Sequence, residues 1–63
     1  MNNIMRQNYK ELSEVERMDM RDVKALGLEF WEKCEAMGAS RELSVAKTKI
    51  EEAVMWATTH ITA

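Results

Sequence analysis

Apolar residues recur mostly at steps of three and four through the first half of the chain: Val15, Met18, Val23, Leu26, Phe30, Cys34 and Met37. That spacing is one face of an α-helix. Ser13-Glu14-Val15-Glu16 precedes the run and fits a capping box, in which the serine hydroxyl accepts from the N3 amide and the glutamate reaches back. Glu14, Glu16 and Asp19 also suit the positive end of the helix dipole. Gly38 follows Met37 directly and suits the left-handed C′ position that ends many helices. The pattern predicts a helix over about 14–37. Beyond it, Ser40 is a natural N-cap, and Leu43, Ala46, Ile50, Ala53 or Val54, Ala57 and Ile61 repeat without a miss. This second stripe predicts a helix over about 41–60. Gly38-Ala39-Ser40 leaves only a short connector, so the two helices fold back as an antiparallel hairpin. Residues 2–10 predict a short leading helix, joined through Glu11-Leu12.

Leu28, Trp31, Val45, Met55 and Trp56 fall off these stripes and give each helix a second apolar flank. Two helices enclose little core. A chain of 63 residues with one cysteine lacks the staples that hold small folds together, so contact between copies is the simplest use of those flanks. Six methionines suit adaptable packing at such a contact, to which Trp31 and Trp56 are also assigned. No proline and no alternating β-branched run appear. The expected architecture is therefore all-α: one hairpin domain over 1–63, assembling into a homo-oligomer.

Charge and chemistry narrow the function by exclusion. Nine basic against eleven acidic residues give a net charge of −2, which argues against a DNA or RNA coat. Cys34 lies on the first stripe without a histidine near it in sequence, so a buried thiol is expected. His60, in the last turn of the second helix, meets the dipole favourably there. One cysteine and one histidine make a metal site improbable, and no glycine-rich phosphate loop occurs. No supported nucleophile or acid–base pair stands out, so the expectation is a protein that is not an enzyme and holds no cofactor. No apolar run is long enough to span a membrane and no secretory signal is evident, which points to the cytosol.

Binding residues remain. Tyr9 is the sole tyrosine and sits ahead of the first long helix, where packing against the hairpin is the plain alternative. Lys24 lies between Val23 and Ala25, with its stem on a contact surface and its ammonium at the rim. Arg41 opposes the dipole in the first turn of the second helix, yet with the free amides there it forms an anion site. Lys47 and Lys49 are expected to pair with Glu51 or other surface acids, and Glu51-Glu52 to form a polar face.

Val23-Lys24-Ala25-Leu26-Gly27-Leu28, and Ser40-Arg41-Glu42-Leu43-Ser44 continuing to Ile50-Glu51-Glu52-Ala53-Val54-Met55-Trp56-Ala57, together with Tyr9 and the short helical length, resemble a known family. It is the bacteriophage anti-CBASS type 2 family of cyclic-oligonucleotide sponges, and the likeness covers about residues 8–62. The resemblance implies a hexamer built as a trimer of intertwined dimers. It implies pockets at dimer contacts for cyclic dinucleotides such as cyclic GMP-AMP (cGAMP), and separate pockets on the threefold arrangement for cyclic trinucleotides. Such proteins hold the messenger without cleaving it, in the cytoplasm of the infected bacterial host, and so block CBASS immunity. In the dinucleotide pocket the family uses a tyrosine near the N-terminus and a lysine on the first long helix, places matched by Tyr9 and Lys24. Arg41 is the candidate for its trinucleotide-pocket arginine. Neither DNA, RNA, membrane nor metal is implied. The competing reading is a structural or adaptor hairpin that binds another protein's helix, with a small DNA-binding regulator a distant third.

Overall fold

The computed structural model describes residues 11–63, and two helices make up almost all of that span. Helix α1 runs Glu14–Met37 and helix α2 runs Arg41–Thr62. The expected leading helix over 2–10 lies outside the described residues. Within them the architecture is an all-helical antiparallel hairpin, with α1 packed along α2.

The ends of α1 are set by side chains that satisfy its orphan backbone groups. Glu16 N–H donates to Ser13 Oγ at 3.1 Å, and Ser13 N–H donates to Glu16 Oε1 at 2.9 Å, so both halves of the capping box form. At the other end Gly38 adopts φ 127° and ψ −152°, and its N–H donates to the Glu35 carbonyl at 3.3 Å. The positive φ expected of a helix-ending glycine is present. Its ψ, however, lies in the extended region open essentially to glycine alone, outside the left-handed helical well. That swings the chain sharply away from α1 and lets three residues suffice as connector. Ser40 Oγ then accepts from Leu43 N–H at 3.0 Å and starts α2. α2 continues to Thr62, two residues past the end predicted from the stripe. In its last turns threonine hydroxyls donate back to carbonyls, Thr58 to Met55 at 2.9 Å and Thr62 to Thr58 at 3.2 Å.

The interior is thin. Among the described residues the buried apolar side chains are Cys34, Ile50 and Ile61. On α2 the inward line follows the stripe expected from sequence, through Leu43, Ala46, Ile50, Val54, Ala57 and Ile61. On α1 it does not. The half-buried or buried positions of that helix are Glu16, Met20, Val23, Gly27, Trp31 and Cys34. Leu26 and Phe30, central to the expected stripe, are 64% and 58% exposed. The inward line is therefore turned by about one residue from the hydrophobic one, and the reason is Gly27. A Cβ built there would lie 2.3 Å from Val54 Cγ2, so the backbone of α1 itself presses against α2 at this point. Close approach at a residue with no side chain rotates the bulkier neighbours outward.

Candidate functional site

That rotation leaves an open groove on each side of the helix seam. Gly27, Ile50 and Val54 form the floor of both. One groove, of 530 Å³, is walled on α1 by Val23, Leu26 and Phe30 and on α2 by Ala53 and Ala57. Lys49 is the charged residue on its rim. The other, of 470 Å³, is mixed in character: Lys24, Leu28 and Trp31 line it from α1, and Glu51 from α2. Lys24, Leu28 and Trp31 stand at i, i+4 and i+7, so one face of α1 presents an ammonium, an alkyl wall and an indole in a row.

The Trp31 end of the mixed groove is braced across the hairpin. Lys47 of α2 pairs with Glu35 of α1, and its Nζ also lies 4.9 Å from the centre of the Trp31 ring. The lysine side chain is only 22% exposed, so this pair is better shielded than the surface pairs Arg17–Glu14 at 3.9 Å and Lys49–Glu52 at 3.5 Å. Lys47 and Lys49 do take surface acids as partners, as expected, and those acids are Glu35 and Glu52.

The candidate binding residues divide as follows. Lys24 is exposed and lines the mixed groove. Arg41 is exposed at the first position of α2, beside the cap at the tip of the hairpin. Lys24 is fourteen residues ahead of the tip glycine, roughly 20 Å along the helix axis, so these two cations serve different places on the molecule. Tyr9 lies outside the described residues. Cys34 is 2% exposed on the inner line, and His60 is exposed in the last turn of α2. Among the described residues no three His, Cys, Asp or Glu side chains converge as metal ligands, and no helix is long and apolar enough to cross a membrane.

The family model of the Acb2/Tad1 hairpin domain matches residues 1–62. The chain belongs to the Acb2/Tad1 hairpin-domain family. This agrees with the anti-CBASS type 2 resemblance read from Val23–Leu28 and Ser40–Ala57. Neither the curated proteins nor the solved structures contain a match. In this Acb2/Tad1 hairpin the sequence pattern pointed to Lys24, which the structure places in the lining of the mixed groove. It missed three neighbours: Glu51 across the groove, Gly27 beneath it, and the Lys47–Glu35 brace behind it. Counting i+4 and i+7 from Lys24 identifies Leu28 and Trp31 as its companions, but no spacing rule relates α1 to Glu51 or Lys47 of α2.

Proposed function

We propose that this hairpin assembles with copies of itself and, without enzymatic turnover, sequesters cyclic oligonucleotide messengers. In doing so it keeps a bacterial host's CBASS effector from being switched on. Membership of the Acb2/Tad1 hairpin-domain family carries this reading. The geometry supports it physically. A cyclic dinucleotide presents two phosphates and two bases about a near twofold axis, and a homodimer contact on its own twofold offers each feature a copy of the same residue. Lys24, exposed beside an apolar wall, supplies a cation to each phosphate. Tyr9 supplies a stacking ring to each base, at about 1–3 kcal/mol apiece. Arg41 and the first amides of α2, far from Lys24, suit a second anionic ligand such as a cyclic trinucleotide. An affinity near nM, about −12 kcal/mol, is within reach of such contacts when the pocket is held rigid by the assembly.

The test is retention of radiolabelled cyclic dinucleotide by the protein, followed by its recovery after denaturation. Intact ligand is expected. Hydrolysed ligand, or no retention at micromolar protein, overturns the proposal. Tyr9→Ala is expected to abolish binding while native mass spectrometry shows the assembly unchanged. One observation favours an alternative: the 530 Å³ groove has apolar walls suited to a helix from a different protein, as in an adaptor. A pull-down separates the two, because an adaptor brings down a stoichiometric protein partner and a sponge does not.

A further inference from the structure

We propose that Trp31 is the aromatic wall of the Lys24 groove on which a nucleobase stacks, and that Lys47 is the positioning residue that holds its ring. This rests on the sequestration reading and extends it to two residues of the same groove. The chain has two tryptophans, in contrasting settings. Trp56 is 66% exposed, whereas Trp31 is half-buried and lines the groove that carries Lys24. Seven residues, about 10 Å along α1, separate Lys24 from Trp31 on one face, with Leu28 between them. That arrangement offers a phosphate its cation at one end and a base its flat apolar surface at the other.

A stacking platform is most effective when its ring is already fixed, because little side-chain entropy is then lost on binding. Here the fixing is visible. Lys47 Nζ of α2 sits over the indole and is itself held by Glu35 of α1, so the cation that contacts the ring is fixed in turn by an ion pair across the hairpin. Lys47 is not among the residues lining the groove. Its charge is committed to the brace, and it acts on a ligand through Trp31. Trp31 therefore belongs to the binding face as well as to the packing of the hairpin.

The test uses the full chain carrying Trp56→Phe, so that Trp31 is the sole indole, titrated with cyclic GMP-AMP. Saturation is expected to change Trp31 fluorescence. Trp31→Leu is expected to weaken binding about tenfold or more, the loss of one base stack, while Trp31→Phe stays within a few-fold. Lys47→Met is expected to weaken binding by a smaller factor and to broaden the response of Trp31 fluorescence to a collisional quencher, with Lys47→Arg restoring both. Native mass spectrometry of each variant reports the assembly. If Trp31→Leu binds like the parent protein, or Trp31 fluorescence is unmoved at saturation, the inference is overturned. A concurrent loss of binding in Lys24→Ala would leave the sequestration reading standing. If Trp31→Leu loses its assembly, the fluorescence of the intact Trp56→Phe protein decides. If the parent protein binds no cyclic dinucleotide at all, the sequestration reading fails and this inference with it.

Discussion

The two grooves share a floor and differ in their walls. On one side Val23, Leu26 and Phe30 face Ala53 and Ala57; on the other Lys24 and Trp31 face Glu51. Small alanines opposite large side chains leave room for apolar groups from outside, and burying them follows the same physics as forming a core. The mixed groove cannot be filled that way, since covering Lys24 and Glu51 with apolar groups would strand charges out of water. It suits a ligand that is itself part charged and part aromatic. Under the proposed function, one seam would divide surface for association from surface for recognition, with Gly27, Ile50 and Val54 in the floor of both grooves.

Substitutions can separate the two roles. The largest effect is expected from Phe30→Glu, which puts a charge into the apolar groove: assembly should be lost, with native mass spectrometry reporting monomer. An assembly that survives would assign association to another face. Lys24→Ala comes next. Loss of a charge-assisted contact is expected to weaken cyclic dinucleotide binding by about 1.5–3 kcal/mol per site and to flatten its salt dependence, with assembly intact. Unchanged affinity in a titration would remove Lys24 from the site. Gly27→Ala lies on the shared floor. Overpacking against Val54 costs about 1–3 kcal/mol and helix propensity returns up to ~1, so thermal denaturation should show a net loss of about 1–2 kcal/mol and both grooves should suffer. Ser13→Ala touches neither groove; it removes the capping box of α1 and is expected to lower stability by ~1 kcal/mol in the same assay without altering ligand affinity once folded.

Much of the fold was legible because local chemistry marks helix ends strongly. Ser13 with Glu16, Gly38, and Ser40 located the boundaries of α1 and the start of α2. The stripe through Ile50 and Ile61 also proved to be the inward face of α2. The stripe of α1 misled by about one residue, because hydrophobic periodicity gives no weight to glycine and Gly27 lets the backbone of α1 stand close against Val54. Lys24 was legible as a cation set among apolar neighbours. The place of Trp31 was not: its position off the stripe suggested subunit contact, and only the structure set it in the groove beside Lys24.

By itself the sequence determined two helices, their caps, the tight reversal between them, and a surplus of apolar surface over what two helices can bury. Each of these depends on residues no more than a few positions apart, where chain connectivity already dictates the geometry. Only the tertiary structure decided what comes together across the seam: Lys24 and Glu51 in the lining of one groove, Lys47 over Trp31, and Val54 against the backbone of Gly27. Those meetings depend on the rotation of one helix about its axis. A single glycine sets that rotation by letting backbone stand where a side chain would otherwise hold the helices apart.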